Sequence, residues 1–336
     1  MPAKEIQTIA DIGRLAGVSK STVSRALSGS PLISEETTKR IRAIAKEHNF
    51  QLNIPARRLS LKQSNTIAFV TNAHKHKYSC LDLFTFEILG GIMGALHDNG
   101  YDLLMVNIDP GDNHWAVEHL EAGKADGFIL MTSSRKQSHI KLLAEMGAPF
   151  VAWGIPLPKY NYCTVTGDNF NGGKLATERL ISLGRRSIAF LGGPKEEMEI
   201  QYRYEGYVAA LKAVGITPDP SLVTHCEFWD SSAVTETRAL LAQAPGFNAL
   251  FANNDLMAIE AMRVLHEAGK RVPEDVAVIG YDNLTISVEC TPTLTTISQN
   301  VHVAGRMLAQ NLLQYLKTRV VTHVTMPVEL VVRQSA

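Results

Sequence analysis

Thr8-Ile9-Ala10-Asp11-Ile12-Gly13-Arg14-Leu15-Ala16-Gly17-Val18-Ser19-Lys20-Ser21-Thr22-Val23-Ser24-Arg25-Ala26-Leu27 decides how the rest of the chain is organised. Ile9, Ile12 and Leu15 recur at offsets of three, which assigns them to one face of a first helix with Ala16 beside them. Thr8 and Asp11 have the spacing of a capping box at its start. Gly17 supplies the sharp turn, Val18 fills the angle between helices, and Ser19 caps a second helix. On that helix Val23 and Leu27 face inward, which frees Lys20, Ser21, Thr22, Ser24 and Arg25 to point away. The pattern is a helix-turn-helix, whose second helix enters a DNA major groove with its first residues at the base edges.

Ser34-Glu35-Glu36 marks a third helix start, a cap followed by acids in the first turn. Ile41, Ile44, Ala45 and His48 fall on one face of it and close a three-helix headpiece over residues 1–49. Residues 50–64 form a hinge too short to be a stable isolated helix, disordered until something orders it. Charge divides at the same place. Residues 1–64 hold eleven Lys and Arg against five Asp and Glu, or +6, so from totals of 33 and 33 residues 65–336 hold 22 against 28, or −6. A net charge of zero thus conceals a basic head on an acidic body, the footprint of a DNA-binding module joined to a sensor.

From Thr66 the texture changes to short apolar runs alternating with amphipathic helices. Strands are expected at 67–70, 103–107, 128–131 and 150–153, with helices at 86–99, 115–122 and 139–146 between them. A second series has strands at 188–191, 250–252 and 276–280, with helices at 173–183, 203–214, 233–243 and 255–268. A helix spans 303–316, and a last strand lies at 328–332. The fold class is therefore α/β: the headpiece plus two doubly wound parallel-sheet subdomains, with a ligand in the cleft between their strand ends.

Several classes are excluded. The N-terminus lacks the apolar core of a signal peptide, and no run approaches membrane-spanning length, so a cytoplasmic chain without a membrane partner is expected. Cys80, Cys163, Cys226 and Cys290 stand far apart and read as reduced thiols. His74-Lys75-His76 lacks acidic or cysteine partners nearby and reads as a solvated loop, so no metal or cofactor is expected. Gly192-Gly193-Pro194 lacks a following lysine-serine pair and reads as a tight turn. No nucleophile, base and acid set emerges, so an enzyme is not expected.

The chemistry sits at the strand ends. Asn253-Asn254-Asp255 follows one apolar run and Gly280-Tyr281-Asp282-Asn283 another, Arg203 opens a helix, and Trp229 lies in a loop before one. A carboxylate, an amide and a guanidinium converging on a cleft satisfy vicinal hydroxyls, and an aromatic plane stacks on the apolar face of a sugar ring. Asp255 and Asp282 also have local uses, as a helix cap and in a turn.

Residues 8–62, and above all Ala-Gly-Val-Ser-Lys-Ser-Thr-Val-Ser-Arg-Ala-Leu, resemble the headpiece of the LacI/GalR (lactose-repressor-like) family of bacterial transcription regulators. The body resembles that family's sensor, itself similar to periplasmic sugar-binding proteins. The resemblance implies a homodimer on a roughly palindromic operator, with Lys20, Ser21 and Arg25 reading bases and Ser19 and Thr22 positioning the helix on phosphates, beside Ser24. In the family the hinge folds on the operator and a leucine wedges into the minor groove. Ala56-Arg57-x-Leu59 matches that motif, with Asn53 preceding it, although Leu52 stands where relatives carry proline. The resemblance further implies effector contacts at Arg203, Trp229, Asn254 and Asp282, and places Asp168-Asn169, a frequent pair of the family near the crossover between subdomains, in a turn or on the ligand; Phe84 or Phe86 is expected to face the cleft. Leu294–Asn300 resembles the family's return strand and crossover, with Asn300 where relatives carry proline. Many relatives place an acid after the strand ending at Trp153, whereas this chain has Gly154. The domains expected are 1–49, hinge 50–64, 65–166 with 299–326, and 167–298 with 327–336. A sugar is the favoured effector and repression of sugar-use genes the favoured role. The alternatives are a purine or nucleoside sensor of the same fold and, more distantly, a sugar-binding transport protein.

Overall fold

The computed structural model describes residues 8–50, 63–72, 83–108, 112, 114–131, 137–226 and 232–336. The chain forms two compact units, 1–64 and 65–336. In the first, α1 (Ile9–Ala16), α2 (Lys20–Leu27) and α3 (Glu35–Glu47) enclose Ile12, Ala16, Val23, Ala26, Ile41 and Ala45. The capping box is present: Asp11 N–H donates to the Thr8 hydroxyl and Thr8 N–H to the Asp11 carboxylate. Gly17, at φ 64°, ends α1 in the left-handed conformation, and Val18 N–H donates back to Gly13 O at 2.9 Å.

Three core assignments change. Leu15 is 52% exposed, because two steps of three residues carry it about 120° round the helix from Ile9; Ile9, Ile12 and Ala16, at offsets of three and four, make the buried stripe instead. On α2 Ala26 is fully buried and Leu27 only partly. His48 is exposed because α3 has ended, and it serves as the C-cap.

The second unit contains two six-stranded sheets. The first lobe's sheet comprises β1 (Thr66–Asn72), β2 (Asp102–Ile108), β3 (Gly127–Met131), β4 (Phe150–Trp153), β5 (Cys163–Gly167) and the late β11 (His323–Met326), in the order β11-β5-β4-β3-β1-β2. All its pairings are parallel. The second lobe's sheet comprises β6 (Ile188–Gly192), β7 (Val223–His225), β8 (Ala249–Ala252), β9 (Ala277–Asp282), β10 (Thr295–Ser298) and β12 (Glu329–Val331), in the order β12-β10-β9-β8-β6-β7. Only β12 runs antiparallel to its neighbour.

Helices cover both faces of each sheet, as continuous apolar strands require. In the first lobe α4 (Leu83–Asp98) and the late α12 (Val301–Thr318) cover one face, and α5 (Trp115–Glu121) and α6 (Gln137–Glu145) the other. In the second, α7 (Asn169–Ser182) and α8 (Met198–Ala213) cover one face, α9 (Ser232–Gln243) and α10 (Asp255–Glu267) the other, and α11 (Ile286–Glu289) is a single turn after β9. β5, β7 and β11 are strands that apolar runs do not announce: threonines interrupt all three, and histidines β7 and β11.

The chain crosses between the lobes three times, after β5, after β10 and after β11. The crossings lie side by side. Asp168 N–H donates to Met326 O at 2.9 Å, and a Cβ on Gly167 would collide with the Gln299 side chain.

Candidate functional site

On the headpiece, Ser19 Oγ accepts Thr22 N–H at 3.1 Å and lies 2.8 Å from the hydroxyls of both Ser21 and Thr22. The cap thereby fixes the first turn of α2, and Lys20, Ser21 and Arg25 are exposed. That turn carries no acid, unlike those of α1 and α3, so no side-chain carboxylate offsets the positive end of the α2 dipole. Thr22 and Ser24 are partly exposed on the same short helix. Asn53, Ala56, Arg57 and Leu59 lie outside the described residues.

In the second lobe, Arg203 projects from α8 and is 7% exposed. Its Nε donates to Asn169 Oδ1 at 2.8 Å and its Nη1 to Asn253 O at 2.6 Å, while the guanidinium carbon sits 3.7 Å from the Tyr281 ring centroid. Burial pushes the Tyr281 hydroxyl up to about 12, against the opposing pull of the Arg203 cation. Among the described residues no carboxylate pairs with this guanidinium. Asn169 in turn donates from Nδ2 to Gly167 O at 2.9 Å, which ties Arg203 to the first crossing.

Asp282 ends β9 at φ 110°, and Asn283 follows at φ 59°. Two successive non-glycine residues in the left-handed half of the map are costly, and the surrounding bonds hold them there. Asp282 Oδ1 accepts Gln299 Nε2–H at 2.6 Å, at the second crossing, and Asn283 Oδ1 accepts from Arg333 at 2.6 Å. Beneath them, fully buried Asp255 accepts Leu284 N–H at 2.7 Å and the Thr296 hydroxyl at 2.5 Å. Burial, and then the neighbouring Asp282, push its carboxyl up to about 8.

The remaining expected contacts have local tasks. Asn254 Oδ1 caps α10 by accepting Met257 N–H at 2.8 Å, and Asp168 Oδ1 caps α7 by accepting Asn171 N–H at 3.0 Å. Phe84 packs against Trp153 with ring centroids 5.7 Å apart, whereas Phe86 is exposed. Trp229 lies outside the described residues, as do His74, His76 and Cys80. Cys163 and Cys226 are buried and Cys290 is half-buried, and none of the three is joined in a disulfide.

Two carboxylates bridge the lobes. Glu199 Oε1, one helical turn before Arg203, accepts Ile155 N–H at 2.9 Å, directly after the bare Gly154. Glu87 Oε1 on α4 reaches the other way and accepts Thr285 N–H at 2.7 Å. Leu284 is buried within the first lobe's core. Burial raises the Glu199 carboxyl above the usual range. Asn169 stood in sequence beside Asp168, in a pair that the family resemblance places near the crossing, whereas Glu199 and Gln299 were not singled out there. Only Glu199 had a signal there, its spacing of four from Arg203.

A capped helix pair with hydroxyls and cations presented outward, joined to a two-lobed α/β body with polar strand ends, defines a DNA-binding regulator carrying a ligand sensor. Residues 8–53 match the bacterial regulatory proteins of the lacI family, and residues 177–336 match the periplasmic binding protein-like domain. The chain is 35% identical over 334 residues to the HTH-type transcriptional regulator CelR of Thermobifida fusca, covering 98% of this chain and 97% of the relative. It is 32% identical to the ribose operon repressor of Escherichia coli (strain K12), covering 89% and 90%. It is also similar to the solved CelR–cellobiose complex, at a TM-score of 0.75 and 32% identity, covering 98% of this chain and 99% of that one. The lac repressor dimer bound to operator and the anti-inducer ONPF gives a TM-score of 0.79 at 26% identity, covering 98% of each chain. The chain belongs to the lacI family of bacterial regulatory proteins, a family of DNA-binding transcriptional regulators, not enzymes. Among the described residues no helix is long and apolar enough to cross a membrane.

Proposed function

We propose that the chain is a cytoplasmic, saccharide-responsive repressor that binds a roughly palindromic operator as a homodimer and controls sugar-uptake or sugar-use genes. Lys20, Ser21 and Arg25 read base edges, Ser19, Thr22 and Ser24 set α2 on the backbone, and Leu59, with Asn53, Ala56 and Arg57, opens the minor groove at the operator centre. The sensor comprises residues 65–166 with 299–326 and residues 167–298 with 327–336, and the hinge is 50–64. A two-fold dimer presents two headpieces to two half-sites. Exposed Phe86 and Met93 on α4 and Val288 on α11 are apolar surface that a second copy would cover.

One observation carries the sensing mechanism. Arg203 and Asp282 are each bonded to a crossing between the lobes, through Asn169 and through Gln299. An effector that engages both side chains draws on both crossings, and so biases how the two lobes close. Operator and effector are then coupled through one equilibrium, each changing the other's affinity by the same factor. The saccharide class is supported by the polar strand ends of the second lobe, by the Phe84–Trp153 ring pair in the first, and by the likeness to a cellobiose-bound relative. Asn254, Asp168 and Trp229 remain contacts of this proposal, the first two through whatever hydrogen-bonding capacity their caps leave.

The test is a thermal-shift screen against mono- and disaccharides, purines and nucleosides, since a ligand of the folded state raises the melting temperature by mass action. A saccharide response lost in Asp282→Ala, with operator binding retained, is the expected result. A purine response with silent saccharides would replace the effector class. Arg25→Ala is expected to lose about 1–3 kcal/mol of base discrimination at its position.

A further inference from the structure

Asn253 occupies the first position beyond β8, and its N–H continues the ladder by donating to Leu191 O of β6 at 2.9 Å. β6 and β8 flank the point where strand order reverses in the second sheet, since β7 lies to one side of β6 and β8 to the other. Open parallel sheets form their ligand crevice outside the strand ends at such a point. Along β8, Leu250 and Ala252 join the core under α9 and α10, whereas Ala249 and Phe251 join the core under α7 and α8. The alternation of the pleat sets Asn253 on the α7 and α8 face, the face of Arg203 and Tyr281.

Asn253 is 1% exposed, and neither its Oδ1 nor its Nδ2 has a hydrogen-bond partner. Its backbone carbonyl is the group that holds Arg203 Nη1. A buried amide unmet at both ends is costly, and native interiors satisfy nearly all such groups. No capping duty or hydrogen bond accounts for it, in contrast to the neighbouring Asn254, which caps α10, and Asp255, which accepts from Leu284 N–H and the Thr296 hydroxyl.

We propose that Asn253 is an effector-contacting, specificity-determining residue, whose adjacent donor and acceptor are met by vicinal hydroxyls of a saccharide seated over Arg203. The inference rests on the saccharide reading and extends it. A hydroxyl both donates and accepts, so a diol satisfies the two amide atoms together. A deoxy sugar leaves one of them buried and unmet, and a site built to bind a hydroxyl rejects such an analogue strongly.

The experiment uses the full-length protein and two variants, Asn253→Leu, which keeps the side chain's shape, and Asn253→Ala. Melting temperature without ligand is measured first, then affinity by calorimetry for the saccharide that binds the wild type best among cellobiose, other disaccharides and their monosaccharides. The matching deoxy sugars follow. Removing an unmet polar group should leave the ligand-free melting temperature of Asn253→Leu unchanged or raised. Affinity should fall roughly ten- to hundredfold in both variants, and preference over one deoxy analogue should collapse. Wild-type affinity in either variant would mean that an internal water meets the amide, and overturns the inference while sparing the saccharide reading. A ligand-free melting temperature lowered in both variants, with preference among sugars intact, would make Asn253 purely structural and overturns it too. If the wild type binds no saccharide at all, the reading beneath it fails first, which the variants are not needed to show.

Discussion

In the first lobe α4 and α12 pack backbone against backbone because Gly91 and Gly305 have no Cβ to strike the His302 and Ile88 carbonyl oxygens. In the second lobe α7 and α8 do the same at Gly173 and Gly206, against the Arg203 and Phe170 carbonyls. Both sheets follow one strand order with a late strand at the β5 or β10 edge. The contents of the strand ends differ. Among the described residues the buried acids, Glu197, Asp255 and Asp282, all lie in the second lobe, with buried Arg203 and Asn253. The first lobe contributes Phe84, Met131 and Trp153 to the edge of an apolar core. A shared framework thus carries two unlike surfaces, one polar and charged, the other apolar and aromatic.

The largest expected effect tests the framework. Gly91→Ala and Gly173→Ala should each destabilise by about 3 kcal/mol, since backbone must move to admit the methyl group, as urea unfolding would report. If the lobes divide their duties as described, only Gly173→Ala also weakens effector binding, because its collision is with the backbone of Arg203. Equal losses of affinity in both variants would break the comparison.

A second prediction concerns pH. Asp255 is raised to about 8 in the folded protein, while an unfolded chain titrates aspartate near about 3.9. The folded state therefore holds a proton that the unfolded state releases. The resulting stabilisation is full below about pH 4 and is lost as pH rises through the folded value. Melting temperatures measured between pH 5 and pH 8.5 should fall more in the wild type than in Asp255→Asn, which has nothing there to titrate. A parallel fall in both would remove the buried acid from the account of the second lobe.

The smallest effect belongs to the first lobe. Phe84→Ala should cost about 1 kcal/mol of effector affinity, the scale of an aromatic stacking contact, with deoxy-sugar discrimination unchanged. Calorimetry on this variant and on Asn253→Leu would separate a ring-packing lobe from a hydroxyl-reading one.

The headpiece was legible in sequence because its signals are local: a capping box, a turn glycine and a serine cap act over three or four residues each. Leu15 misled because a spacing of three drifts round the helix, and burial selected Ala16. Most sheet strands were legible as apolar runs. β5, β7 and β11 were not, since Thr164, Thr166, Thr224, His323 and Thr325 break their patterns and pairing partners come from distant sequence. In the site, Arg203 and Asp282 stood out by type and position, whereas Asn253 and Asn254 are chemically identical in sequence. Only the structure shows that Asn254 caps a helix while the Asn253 amide is left unmet. The Glu199 carboxylate beside Gly154 comes from the opposite lobe, a relation that depends on two sheets and no local pattern.

The three crossings also set a timetable for synthesis. The first lobe begins at β1, yet its core contains Val301, Ala304, Leu308 and Leu312 of α12, and β11 pairs with β5 across about 160 residues. A chain emerging in order from the ribosome can complete the headpiece early, and it can assemble most of the second sheet before the first is closed. The lobe that starts first finishes last, and until residues 301–326 arrive it exposes the apolar face that α12 will cover. Long-range pairing of this kind is slow and leaves such surfaces open to aggregation. A ribosome stalled before residue 300 would thus hold a folded DNA-reading module upstream of an unfinished sensor.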